Sequence, residues 1–313
     1  MNAKIKGCYP AIVTPFEVKG LRYEHAINYY GIKKLLQHLL IPGINGVVVA
    51  GCTGSASVLD HDEQVDIVNS VKKYVDREFK DKLVIAGDGS NNTKEAIELA
   101  KRMEEIGVFT HLSISPYYNK PSDRGIIEHY SAIARNIEGE IILYSVPSRT
   151  GGKGILPGVA NELANNERII GIKEASGDIE RIKETIKKTN DKDFFIISGD
   201  DSLTYKIIQN GGVGAISVAA NVAPKDVSSM IEHALLGHVD IAENLDKKLQ
   251  VLYNALFPKD GGNASPNPVM CHYALDRLGI PVGVPRLPLT AGEYHEKKGV
   301  DEALESLGLK TYS

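Results

Sequence analysis

The chain has 313 residues, 42% of them hydrophobic, a formal net charge of -4 and a pI near 6.2. That length and apolar content suit one large α/β domain, or a barrel with an appendage, and not several small domains. The mild acidity gives no electrostatic footprint for nucleic acid or an anionic membrane, and no run reaches the roughly 18 apolar residues that span a bilayer.

Cys8, Cys52 and Cys271 are few and far apart in sequence. They form neither a metal-ligand cluster nor a disulfide framework, so no metal is expected, and the expected compartment is a reducing cytoplasm. The stretch from Met1 to Gly7 lacks the apolar core of a signal peptide.

Short apolar runs then recur with helical patterns between them. In chain order they are Ala11–Val13, Gly46–Ala50, Leu83–Ala86, His111–Ile114, Glu140–Tyr144, Ile169–Lys173, Phe194–Ile197 and Gly214–Val218. Several are almost wholly apolar rather than alternating, as parallel strands buried on both faces require. Thr93–Met103 is the clearest amphipathic helix between them. Ser122 and Asp123 mark the start of another over Gly125–Arg135, and Pro157 suits a first helical turn. Eight strand-plus-helix units predict a (β/α)8 TIM barrel over residues 4–233. A doubly wound open sheet is the other candidate, but no G-x-G-x-x-G follows the first strand. Gly87-Asp88-Gly89 reads as a tight turn at the barrel top.

Beyond residue 233 the strand pattern stops. Asp240–Tyr253 and Val269–Leu278 read as helices, and Asp301–Leu307 as a short last one, with a loop over Pro258–Pro268. Residues 234–313 are expected to form a C-terminal all-α extension packed on the barrel.

Lys173 is the residue with the most chemistry in it. It sits near the end of the apolar run in Arg168–Ser176. Burying an ammonium is costly, so such a lysine tends to lose its proton, and a neutral amine attacks carbonyl carbon. The plain alternative is a lysine that leaves the strand and reaches solvent. Barrel enzymes gather their chemistry at the C-terminal strand ends. Those ends carry Thr14-Pro15, Gly51–Ser55, Ser115–Asn119, Tyr144–Thr150, Lys173, Ser198–Asp201 and Ser217. Tyr144 and Tyr118 are phenols able to relay protons. Arg149 has the planar fork that grips a carboxylate. The glycines around Cys52 and Thr53 let backbone N–H groups approach an anion. Taken alone, such a tyrosine is more often a packing residue and such an arginine more often a surface one. Asp200-Asp201 reads as a cap for the helix from Leu203, and Asp88 is a weaker candidate base. Their convergence on one barrel end points to metal-free carbonyl chemistry.

Several segments together resemble the dihydrodipicolinate synthase / N-acetylneuraminate lyase family. They are Tyr9–Phe16, Gly51–Gly54, Ser115–Pro121, Tyr144–Gly151, Gly171–Ser176, Ser198–Asp201, Gly214–Val218, Asn267-Pro268 and Arg286–Pro288. The resemblance runs from about Gly7 to Leu309 and implies a class I, Schiff-base lyase without a cofactor. Ser148-Arg149-Thr150-Gly151 points to the synthase branch. There pyruvate and L-aspartate-4-semialdehyde condense on the way to lysine and diaminopimelate. By that resemblance Lys173 forms the imine with pyruvate and Tyr144 passes protons. Tyr118 is the relay tyrosine lent across a subunit interface, and Arg149 holds the aldehyde's carboxylate. Thr53 and the Ile216 backbone hold pyruvate. The implied assembly is a homotetramer, a dimer of dimers. His61, Asn91, Glu95 and Tyr117 match an inhibitory lysine site, with Gln64 in place of a histidine found in some inhibited members.

Two departures stand out. Cys52 occupies a relay position that carries threonine or serine in the family, and Ser55 stands where glutamate is usual. A thiol is a weak hydrogen-bond donor and acceptor. Two further readings therefore stand beside the synthase: another pyruvate-dependent aldolase acting on a sugar acid or other aldehyde, and a non-catalytic barrel that binds a small acid.

Overall fold

The computed structural model describes residues 5–259 and 264–312. Lys4, the expected start of the barrel, lies outside them, as do Gly261 and Gly262 of the expected 258–268 loop, and Ser313.

Eight strands form one parallel sheet: β1 (Gly7–Pro10), β2 (Gly46–Val49), β3 (Leu83–Gly87), β4 (Thr110–Ile114), β5 (Glu140–Ser145), β6 (Ile169–Glu174), β7 (Phe195–Ser198) and β8 (Gly214–Ser217). Each strand from β2 to β8 pairs with the next, and β1 pairs with β8. Bridges from Cys8 to Ile44 and from Ala11 to Val48 join β1 to the β2 side and complete the ring. The architecture is the (β/α)8 barrel that the alternation of strands and helices predicts.

The first strand lies at Gly7–Pro10, not at Ala11–Val13. Pro10 has no N–H to donate, so it marks a strand end in a sequence reading. Here it is the last residue paired with β8, opposite Ser217. Ala11 and Ile12 still bond, to the Ser217 and Val48 carbonyls, but the chain there is leaving the ladder. The other seven strands differ from the expected runs by at most one residue at either end.

Helices α1 (Tyr29–Leu39), α2 (His61–Glu78), α3 (Thr93–Glu105), α4 (Asp123–Asn136), α5 (Pro157–Leu163), α6 (Ile179–Thr189), α7 (Thr204–Gln209) and α8 (Pro224–Leu235) surround the sheet. Their starts follow from local chemistry. Ser122 accepts the Gly125 N–H to cap α4, and Pro157 occupies the first turn of α5. The eighth helix runs past the expected boundary at 233 to Leu235.

Helices α9 (Val239–Leu256), α10 (Val269–Arg277) and α11 (Tyr294–Ser306) follow. The last begins far upstream of Asp301, with a capping box between Glu293 and Glu296. Lys297-Lys298-Gly299 interrupts its apolar period, which is why sequence shows only its second half. Leu249, Leu252, Leu256 and Val269 share one core with Val222 and Ile231 of the barrel's outer layer. Arg286 ties the chain beyond α10 to α2, bonding Glu63 through both terminal nitrogens at 2.7 and 2.6 Å. The barrel interior is filled by a separate set that includes Tyr9, Val48, Ile85, Leu112, Ile142, Tyr144, Ile170 and Ile216. Among the described residues no helix is long and apolar enough to cross a membrane.

Candidate active site

Lys173 reaches the barrel mouth because β6 carries an extra residue. Ile169 pairs with Ile141, but Gly171 pairs with Ile142, so Ile170 is accommodated as a bulge. In a regular strand Ile169 and Lys173 would face the same way. Ile169 and Ile172 both pack in the layer outside the barrel, while Ile170 packs inside. The extra residue reverses the alternation and turns Lys173 inward.

Once inside, Lys173 is 4% exposed. It lies directly opposite Tyr144 in the β5–β6 register, with Nζ 4.3 Å from the centre of that ring. Burial pulls its amine down from 10.5 to about 8. Cys52 and Asp201 oppose the shift, and Arg149 adds to it. A usable fraction of the amine is therefore neutral near neutral pH. Burial pushes the Tyr144 phenol well above its ordinary value, with Cys52 adding to the rise and Arg149 opposing it. Tyr144 thus keeps its proton and can donate it. Gly199 completes this pocket: a Cβ there would lie 2.9 Å from the Lys173 Cε and 3.0 Å from its Cγ. Any larger residue would displace the lysine stem.

The loop after β2 supplies the next wall. Ala50 and Ser55 both take left-handed backbone conformations, φ 54° and 57°, and the tight path puts Cys52 near both Lys173 and Tyr144. Cys52 is half-buried and packs against the barrel interior. Thr53 is buried, and its hydroxyl accepts a hydrogen bond from the Asn267 side chain at 3.1 Å. The Asn267 carbonyl in turn accepts from Arg149 Nη2 at 3.4 Å. One residue of the extension thereby links the Thr53 loop to the arginine at the mouth. Ile216, on β8, is buried beneath the same end of the barrel.

Tyr118 does not join this group within one chain. It is 89% exposed, in a loop where it and Lys120 hold φ of 69° and 46°. A large aromatic residue held at such angles and left in solvent is suited to a partner.

The four residues matched to a lysine site are brought together in part. Asn91 and the segment of Tyr117 are joined by the bond from the Asn119 side chain to the Asn91 carbonyl at 2.9 Å. Glu95, in the first turn of α3, accepts from Ser90 at 3.0 Å. His61 is the exposed first residue of α2.

The Asp200-Asp201 pair divides its work. Asp200 caps the turn Asp201–Leu203, accepting the Ser202 N–H. Asp201 is no cap for that helix. Its carboxylate binds the Ser217 hydroxyl and the Val218 and Ala219 N–H groups, fixing the chain just past Ile216. Asp88 is buried and engaged with His111 Nδ1. Asn267, Gly199 and Asp201 are contributors that sequence reasoning does not assign to the site. Gly199 and Asp201 fall in a strand-end segment the sequence does single out, while Asn267 acts across the fold.

The whole is a (β/α)8 barrel whose mouth is arranged for amine–carbonyl chemistry. The chain belongs to the Dihydrodipicolinate synthetase family, whose model matches residues 4–307. A 4-hydroxy-tetrahydrodipicolinate synthase of Archaeoglobus fulgidus is 41% identical over 97% of this chain and 99% of its own. Two solved structures are similar throughout. The chloride-inhibited dihydrodipicolinate synthase of Acinetobacter baumannii, complexed with pyruvate, matches with a TM-score of 0.89 and 34% identity, over 97% of this chain and 99% of that one. The Cyanidioschyzon merolae enzyme with lysine bound matches with a TM-score of 0.90 and 34% identity, over 98% and 99%.

Proposed function

We infer that this chain is a Schiff-base lyase that condenses pyruvate with L-aspartate-4-semialdehyde to 4-hydroxy-tetrahydrodipicolinate, in lysine and diaminopimelate biosynthesis. The observation that carries this reading is the buried Lys173 amine set against Tyr144 in a member of this family. The pyruvate bound to the Acinetobacter baumannii relative supports the choice of first substrate.

Neutral Lys173 attacks the keto carbon of pyruvate. Tyr144 gives a proton to the departing oxygen, water leaves and the imine forms. Loss of a methyl proton yields the enamine, whose carbon attacks the aldehyde; the aldehyde oxygen takes up a proton. Arg149 holds the carboxylate of this second substrate. The substrate's own amine then adds to the imine carbon, which closes the ring, and expulsion of the Lys173 amine restores the enzyme. Thr53 and the Ile216 backbone position pyruvate. The enzyme works in the cytoplasm as a homotetramer, and Tyr118, exposed in one chain, completes the neighbour's relay. The reading predicts the highest kcat/KM for pyruvate with aspartate-4-semialdehyde; a preference for a sugar aldehyde would overturn it in favour of another aldolase of the family.

Cys52 is the feature that favours that second reading. In the synthase reading its thiol serves in the relay despite its weak hydrogen bonding. Cys52→Thr is then expected to change kcat by less than about tenfold, or ~1.4 kcal/mol of barrier. A far larger change, in either direction, contradicts a working thiol.

Lysine feedback at the site of His61, Asn91, Glu95 and Tyr117 belongs to the same proposal, supported by the lysine bound to the Cyanidioschyzon merolae relative. Calorimetry with millimolar lysine is expected to give a saturable signal; its absence excludes the site.

A further inference from the structure

Lys173 faces the mouth, so its neighbour Glu174 faces the other way. Glu174 is nevertheless wholly buried. A buried carboxylate needs hydrogen bonds or a cation. Its Oε1 accepts the Ser176 N–H at 2.8 Å. Its Oε2 lies 3.9 Å from Nε of Arg181 on α6. The rest of that guanidinium is turned to the loop after β5. Nη1 donates to the Lys153 carbonyl at 2.9 Å, and Nη2 to the Ile155 carbonyl at 2.5 Å and Ser145 Oγ at 3.5 Å. Ser145 Oγ also accepts the Ile155 N–H at 3.2 Å. Gly154 lies between them at φ 61°, where a Cβ would come within 2.9 Å of Ser145 Oγ and 3.2 Å of Arg181 Nη2.

This cluster touches the neighbour of each reacting group. Glu174 follows Lys173, Ser145 follows Tyr144, and residues 153–155 are the returning limb of the loop whose outgoing limb, Pro147–Arg149, carries Arg149. We propose that the Arg181–Glu174 pair is a positioning unit: it holds the Arg149 loop against the Lys173–Tyr144 centre and so governs capture of the second, carboxylate-bearing substrate. This rests on the synthase reading above. Neither residue touches substrate. Lys173 and Tyr144 are also held by strand pairing on both sides, from β4 through β7. The loop has no strand partner: Asn267 holds Arg149 and Asp123 pairs with Lys153 at 2.7 Å, while Arg181 is what fastens the returning limb to the strand-end layer beneath Lys173 and Tyr144. Loss of the clamp therefore disturbs Arg149 before it disturbs the amine.

Two variants test this. Arg181→Lys keeps the charge but cannot bridge the Lys153 and Ile155 carbonyls at once. Arg181→Met combined with Glu174→Gln leaves no unpaired buried charge and guards against a single variant that fails to fold. The double variant is expected to raise KM for aspartate-4-semialdehyde by about tenfold or more, and Arg181→Lys by less. The rate at which borohydride traps the pyruvate adduct is expected to stay within about twofold of wild type. An unchanged aldehyde KM in folded variants, or trapping that falls in step with turnover, overturns the positioning role. A wild-type protein that gives no pyruvate adduct overturns the synthase reading itself, and this role with it.

Discussion

Replacing Lys173 by methionine is expected to abolish turnover, by more than about 10⁴-fold, and to leave the protein more stable at pH 7. The first effect follows from removing the amine that lies 4.3 Å from the centre of the Tyr144 ring. The second follows from the amine's depressed pKa. In the folded chain it titrates near 8, against an ordinary 10.5. Between those values the unfolded chain binds more protons, so the wild type gains stability as pH rises through this window. Below about 8 the penalty for burying the cation is present in full, on the order of 3 kcal/mol. Methionine has a similar reach and no charge, so it removes that penalty. Urea unfolding should show the variant more stable at pH 7, with the advantage shrinking towards pH 10. A variant less stable than wild type at pH 7 would contradict a strained, buried amine. By the same logic, imine formation in the wild type should accelerate with rising pH and level off above about 8.

Tyr144→Phe separates proton transfer from packing. The ring fills the barrel interior beside Ile142 and Ile170, and phenylalanine preserves it. Only the hydroxyl is lost. Because burial keeps that hydroxyl protonated, it is suited to donate to the oxygen leaving pyruvate. Loss of a positioned general acid is expected to lower kcat by about 10²- to 10³-fold, with urea midpoints close to wild type. A kcat within about threefold of wild type would assign the proton to another group.

Most of the barrel is legible in sequence because parallel strands buried on both faces leave nearly continuous apolar runs. Two elements escape for specific reasons. Pro10 looks like a strand end and conceals β1. Lys297-Lys298-Gly299 masks the first half of α11. The candidate site is legible as a set of residue types at strand ends, but its geometry is not. The run Ile169-Ile170-Gly171-Ile172 gives no sign that Ile170 is an extra residue, yet that bulge decides whether Lys173 faces the mouth or the surrounding helix layer. Asp201 looks like its neighbour Asp200, a helix cap, until the turn after β8 is brought against it. Asn267 lies far from Thr53 and Arg149 in sequence and acquires its role only when the extension closes over the mouth. Glu174 and Arg181 look like surface charges of a strand end and a helix. The loop after β5 folds back onto Arg181, whose terminal nitrogens bond its Lys153 and Ile155 carbonyls while Nε faces Glu174.

The central claim is that the Lys173 amine forms an imine with pyruvate. Incubation with pyruvate, reduction with borohydride and peptide mass spectrometry test it directly. A reduced pyruvate adduct on the peptide containing Lys173, discharged before reduction by aspartate-4-semialdehyde, is the predicted result. No adduct, or an adduct confined to another lysine, would contradict it.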